Sequence, residues 1–199
     1  MQEADEILIA RVVEGNEDAF REIVRRYEAK ARRYCYRIFR DSQVAEDAAQ
    51  EVFLKLYRNA EKYQPTGPFH TWFYRVMGNL CFDRLRFEKR RAGVLGNTMD
   101  GHTMDGREDD GGPGGNGSFL NPEQAMIQKE ERLAVRTAVG GLPENLRRAV
   151  TLREFEGLKY REIADVMQVS LNEVKVLIHR GRKLLAKRLK TVLALENRP

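Results

Sequence analysis

Large apolar residues recur at three- and four-residue steps along most of the chain, with charged residues between them, and period-two alternation is nearly absent. Ile7, Ile9, Ala10 and Val13 begin the pattern, and Phe20, Ile23, Val24 and Tyr27 repeat it. Such spacing predicts amphipathic helices, each burying one stripe. Gly15 and Asn16 separate the first two, and Asp18 is the expected cap of the second. An apolar run over residues 34–39 breaks at Asp41 and Ser42, either of which can accept hydrogen bonds from the free amides of the next helix. That helix sets Val44, Ala45, Ala48, Val52, Phe53 and Leu56 on one side, and Asp47, Gln50, Glu51 and Lys55 mostly on the other. Pro65, Thr66, Gly67 and Pro68 then impose a turn, because two prolines and a glycine do not continue a helix. Over residues 69–91 the helical pattern returns with an unusual load of aromatics: Phe69, Trp72, Phe73, Tyr74, Phe82 and Phe87.

The periodicity collapses after Ala92. Glycines with Asp, Asn and Pro dominate residues 92–121, which bury too little apolar surface to offset their ordering entropy, and a flexible linker is expected. Helical pattern resumes at Pro122 and predicts helices at about 122–139, 143–156, 160–167 and 171–190, with Pro143 at one start and Gly157 at one stop. The expectation is an all-α chain: two small helical bundles, residues 1–91 and 122–199, joined by the linker at 92–121.

Charge sharpens this division. The 199 residues carry 35 Lys+Arg and 30 Asp+Glu, net +5, with a pI near 9.3. Seven bases and no acid lie between positions 174 and 190: Lys175, Arg180, Arg182, Lys183, Lys187, Arg188 and Lys190. Residues 84–91 hold five bases against Glu88, whereas residues 100–110 are mainly acidic. Basic lobes flank an acidic joint, a balance suited to nucleic acid. The two cysteines, Cys35 and Cys81, form no CxxC pair, and the three histidines lie far apart, so no metal ligand set or cofactor is expected and the thiols should be reduced and buried. The acidic N-terminal residues do not resemble a secretion signal, and no apolar run reaches the roughly 20 residues of a membrane span. A phosphate-cradling glycine loop followed by Lys and Ser/Thr is also missing, and no nucleophile–base motif stands out, so catalysis is not expected.

Residues 160–180 carry the sharpest local signal. A short helix with Ile163, Ala164 and Met167 inward is followed by a turn of about three residues and a longer helix. Ser170 and Glu173 have capping-box spacing and fix the second start. Val174, Leu177, Ile178, Gly181 and Leu185 form the buried stripe of that helix, which leaves Leu171, Asn172, Glu173, Lys175, Val176 and His179 facing outward. This is the pattern of a helix-turn-helix, whose second helix presents its N-terminal residues to base edges in the major groove. The basic residues that follow suit phosphates, which supply affinity without sequence information.

Three segments resemble a known family. AEDAAQEVFLKLYRN (45–59) is similar to the polymerase-binding helix of region 2 in extracytoplasmic-function sigma factors of the sigma-70 family. FHTWFYRVMGNLCFDRLR (69–86) resembles the promoter-melting segment, with its F-x-T-W-(L/F)-Y-x-(I/V)-x-x-N-x-x-x-D-x-x-R pattern. LPENLRRAVTLREFEGLKYREIADVMQVS (142–170) resembles region 4. The order is the family's, and the likeness covers most of the chain outside the linker.

The resemblance implies a sigma factor that takes core RNA polymerase to promoters and helps to open them. Asp47, Gln50, Glu51 and Leu54 would meet the clamp coiled coil of the largest polymerase subunit, and the flap is a further expected contact. Minus-ten DNA would be met by Phe69, Trp72, Asn79, Asp83, Arg84 and Arg86, with residues 64–68 near an extruded base, although aromatics at helical spacing equally suit a core. Duplex at the minus-thirty-five element would be met by Ser170, Leu171, Asn172, Glu173, Lys175, Val176, His179, Arg180, Arg182 and Lys183. The linker would enter the RNA exit channel as an acidic mimic of nucleic acid, or serve as a tether. A cytoplasmic protein is implied, with an anti-sigma factor, often membrane-tethered, among its partners. Two departures stand out: Lys159 where many members have a Ser or Thr cap, and Leu177 where many have Arg. The competing reading from the residues is a free-standing helix-turn-helix regulator, which explains residues 143–190 and leaves the first lobe without a task.

Overall fold

The computed structural model describes residues 3–64, 67–94 and 122–196, so the expected linker beyond Val94, together with Pro65 and Thr66 of the expected turn, lies outside the described residues. The chain divides into two compact units, Met1–Gly111 and Gly112–Pro199. Among the described residues there is no strand.

The first unit holds α1 (Asp5–Val13), α2 (Glu17–Phe39), α3 (Ser42–Arg58), a single 3₁₀ turn (Ala60–Lys62) and α4 (Phe69–Val94). Asn16, not Asp18, caps α2: its Oδ1 accepts from the Ala19 amide at 2.9 Å. Asp18 lies within the first turn of α2 and pairs with Arg21. The run at 34–39 is the last part of α2, not a separate element, and α2 ends on Arg40, which takes the left-handed conformation (φ 62°) and donates its amide to the Tyr36 carbonyl. Asp41 then caps α3 by accepting from Val44 at 2.8 Å.

Alanines 45, 48 and 49 on α3 are buried and let α2 approach closely, and Val52, Phe53 and Leu56 complete that side of the core. Ile23, Tyr27, Ala31, Tyr34 and Ile38 come from α2; Phe69, Phe73, Met77 and Phe82 come from α4. Cys35 and Cys81 form no disulfide and are fully buried, with their Sγ atoms 3.6 Å apart across α2 and α4.

The second unit holds α5 (Pro122–Gly140), α6 (Glu144–Val150), which runs on into a π turn (Thr151–Phe155), α7 (Tyr160–Met167) and α8 (Leu171–Glu196). The π turn is closed by the Glu156 amide on the Thr151 carbonyl at 3.2 Å, and Gly157 (φ 70°) ends the run. Ile163 and Val166 are the buried pair on α7, whereas Ala164 and Met167 are only half-buried, one step round the helix from the expected stripe. Val174 and Ile178 of α8 face them in the core, and Gly181 is buried against α6.

Candidate nucleic-acid and polymerase-binding surfaces

On α3 the buried alanines and Val52, Phe53 and Leu56 hold one face inward, so Asp47, Gln50, Glu51 and Leu54 are all exposed on the other. Leu54 is 55% exposed and Tyr57 48%, two apolar side chains on an acidic, polar face. Beside them an open groove of about 350 Å³ runs between α3 and α4, lined by Glu51, Lys55, Leu80, Asp83, Arg84 and Phe87. Phe87 was named from the sequence only as one aromatic of the 69–91 segment, because α3 and α4 patterns read separately cannot reveal a groove between them; Tyr57 was not singled out.

On α4 the six expected minus-ten residues separate. Phe69 is fully buried, in ring contact with Tyr27 at 5.3 Å, Tyr63 at 5.9 Å and Trp72 at 5.8 Å. Its ring is thus enclosed within the first unit and packs against Trp72. Trp72 itself is half-buried, with the Tyr63 ring at 5.5 Å. Asn79, Asp83 and Arg86 are exposed at steps of four and three residues, so they share one outer face. Asp83 and Arg86 stand 3.6 Å apart. Arg84 is half-buried, its guanidinium over the Phe39 ring at 5.6 Å and 3.5 Å from Glu88. Phe87 is 54% exposed with Arg91 over its ring, so aromatic surface and cations lie together near the groove.

In the second unit the helix-turn-helix is assembled by α7 and α8. The turn pivots on Gln168 (φ 56°), and Val169 donates to the Ala164 carbonyl. Ser170 Oγ accepts from the Glu173 amide at 3.2 Å and caps α8. Lys159 cannot accept as a Ser or Thr would, but Glu162 reaches back to its amide at 2.6 Å and satisfies the donor from the other side. Arg148 pins the motif from α6 by donating to the Val166 carbonyl at 3.1 Å, and Arg153 donates to Leu158 while lying over Tyr160.

Asn172, Glu173, Lys175, Val176, His179, Arg180, Arg182 and Lys183 are exposed, and Leu171 is half-buried. Positions 172, 176, 179, 180 and 183 lie opposite Val174, Ile178 and Gly181, so one continuous outer face begins with short polar and apolar side chains and ends in cations. Arg182 stands at the edge of that face in an ion pair with Glu154 of the π turn at 2.7 Å. Leu177 is half-buried. Among the described residues no group of His, Cys, Asp or Glu could hold a metal, and no helix is long and apolar enough to cross a membrane.

Residues 23–91 match the family described as sigma-70 region 2, and residues 132–185 match sigma-70 region 4. The chain is 36% identical over 192 residues to the RNA polymerase sigma-H factor of Pseudomonas aeruginosa, covering 96% of this chain and 97% of that one. It is 32% identical over 189 residues to the ECF RNA polymerase sigma factor SigW of Bacillus subtilis (92% and 95% covered). With the ECF RNA polymerase sigma-E factor of Escherichia coli the identity is 33% over 184 residues (92% and 93%). The fold is also that of CnrH, solved with the cytosolic domain of CnrY, at TM-score 0.65 and 23% identity over 95% of this chain and 99% of that one.

Proposed function

The chain belongs to the ECF group of the sigma-70 family, and we propose that it works by three separate surfaces: the α3 face for core polymerase, the outer face of α4 for the opened minus-ten strand, and the outer face of α8 for minus-thirty-five duplex. The observation that carries this reading is the exposure of Leu54 among Asp47, Gln50 and Glu51. An apolar side chain held out on a polar face, beside a groove, is suited to a protein partner. A regulator acting without polymerase would leave that face and the α4 surface unused.

The protein contributes binding free energy and no chemistry of its own. Lys175, Arg180 and Lys183 neutralise phosphates, while Asn172, Val176 and His179 stand where base edges would be read. On α4, Trp72 offers the exposed part of its half-buried ring, and Asn79 and Arg86 offer polar contacts, to unstacked non-template bases; stacking of one base on an aromatic is worth about 1–3 kcal/mol. Strand opening is favoured because these contacts exist only once the bases leave the duplex. Residues 1–91, 92–121 and 122–199 then act as polymerase-binding and melting unit, linker and duplex-binding unit. The structure of the sigma factor RpoE of Bartonella quintana was solved with the anti-sigma factor NepR. A protein of that kind, free or membrane-held, would restrain this chain by covering its α3 face.

Run-off transcription with purified core polymerase on promoter-containing genomic fragments tests this. Discrete transcripts that need the native protein and vanish on disruption of the α3 face are expected. A protein that shifts duplex DNA alone and never joins polymerase would overturn the reading.

A further inference from the structure

Helix α1 lies outside the segment matched to region 2, which begins at residue 23, yet its first turn reaches the start of α4. Glu6 Oε1 accepts the hydrogen bond of the Phe69 amide at 2.9 Å, across 63 residues of chain. Phe69 is the first residue of α4, so this carboxylate satisfies an amide that has no partner within the helix and sits at the positive end of the helix dipole. Next to it, Asp5 accepts from the Tyr27 hydroxyl and from Arg26 at 2.6 Å, and Arg26 also donates to the Glu3 carbonyl. These bonds fix α1 on α2, and the Tyr27 ring in turn packs on Phe69 and Phe73.

Tyr63 holds the other side. Its ring lies against Trp72 and Phe69, and its hydroxyl donates to the Gly67 carbonyl at 2.9 Å. Burial and the nearby Glu6 and Asp5 carboxylates both push the Tyr63 phenol upward, so it stays a neutral donor. Trp72 and the Gly67 carbonyl are therefore located by Tyr63, and the first amide of α4 by Glu6.

We propose that Glu6 and Tyr63 are positioning residues for promoter opening: they hold Trp72 and the chain entering α4 in the arrangement that receives an unstacked base. The proposal rests on the reading that α4 takes the opened strand. Without Glu6 the first amide of α4 loses its acceptor and the helix start frays; without the Tyr63 hydroxyl the Gly67 carbonyl is no longer tied to the ring that flanks Trp72.

The test uses holoenzyme assembled with native protein, Glu6→Ala, Glu6→Gln and Tyr63→Phe, on the promoter giving the strongest run-off transcript. Permanganate reactivity of unpaired thymines is measured on the intact duplex and on the same promoter with its minus-ten region already mismatched. Glu6→Ala and Tyr63→Phe should each reduce opening of the duplex by about fivefold, the scale of one net hydrogen bond. On the mismatched template the loss should be under about twofold, with polymerase binding unchanged, and Glu6→Gln should recover most of the opening because its amide oxygen still accepts. Native-like opening of the duplex by both Glu6→Ala and Tyr63→Phe overturns the proposal, and so does an equal loss on both templates. If the native protein itself opens no promoter, the functional reading falls with it; if it does and the variants match it, only the positioning role falls.

Discussion

A Cβ placed on Gly181 of α8 would stand 2.5 Å from Val150 Cγ2 of α6, inside any tolerable contact. The backbones of the two helices approach there because position 181 has no side chain. Val150 is fully buried and β-branched, so it has no open rotamer to retreat into. Gly181→Ala gains about 1 kcal/mol of helix propensity, but overpacking costs about 1–3 kcal/mol. The expected net result is a lower melting temperature for the second unit, and Val150→Ala in the same chain should relieve part of it. A variant as stable as the native protein, with no coupling to Val150, would show that α6 and α8 do not pack this closely.

Leu54 and Leu56 are two residues apart on α3 and should behave in opposite ways. Leu56 is fully buried, and Leu56→Ala should cost about 2–5 kcal/mol of stability through the cavity it leaves. Leu54 is 55% exposed, so Leu54→Ala should leave the melting temperature within a degree or two. If Leu54 anchors the polymerase contact, the same variant should weaken holoenzyme assembly by about 2 kcal/mol, roughly thirtyfold. Titration of labelled core polymerase reads this directly, and unchanged affinity would remove Leu54 from the interface.

These contrasts show what a sequence can carry. Helix positions, the helix-turn-helix and the outer faces of α3 and α8 were legible because each depends on periodicity within one helix. The surroundings of Phe69 were not legible, because an aromatic at helical spacing suits a core and a stacking surface equally, and the rings of Tyr27 and Tyr63 that enclose it with Trp72 come from other parts of the chain. Asn16 and Asp18 are both good caps, and the choice turned on where Gly15 lets the chain reverse. Val166 replaced Met167 as the buried partner of Ile163 through a single step of helix rotation. Glu6 on Phe69 and Glu154 on Arg182 join residues far apart in the chain, and no local pattern encodes such pairs.

The Glu154 pair should divide the cations of α8. Arg182 and Glu154 remain partly exposed, at 51% and 37%, so their 2.7 Å contact adds little to stability. It does occupy a charge that would otherwise be offered to phosphate. Lys183→Gln should lower the dependence of log affinity on log salt by about 0.9, the value of one phosphate contact. Arg182→Gln should lower it by clearly less, and Glu154→Gln should tighten duplex binding by releasing Arg182. Salt titrations of holoenzyme on a minus-thirty-five duplex compare the three. Equal slopes lost with Arg182→Gln and Lys183→Gln would mean that the pair opens when DNA binds.

Tyr27 should make the first unit sensitive to alkali. Its side chain is buried, and that burial, then the hydrogen bond to Asp5, push its pKa far above the usual tyrosine value of about 10. In the folded chain the phenol therefore stays neutral through a range in which the unfolded chain has already lost the proton. The stabilisation is complete below about pH 10 and is withdrawn as pH rises beyond it, because the unfolded state then binds fewer protons than the folded one. Tyr27→Phe should lower stability at neutral pH by about 1 kcal/mol, since Asp5 keeps Arg26 but loses the hydroxyl donor. The same variant should show a shallower fall in melting temperature above about pH 10 than the native protein. Phenolate absorbance gives an independent reading, with one fewer late-titrating tyrosine in the variant. An alkaline limb of unchanged slope would mean that water reaches the Tyr27 hydroxyl in the folded chain, and that Asp5 does not hold α1 on α2 through it.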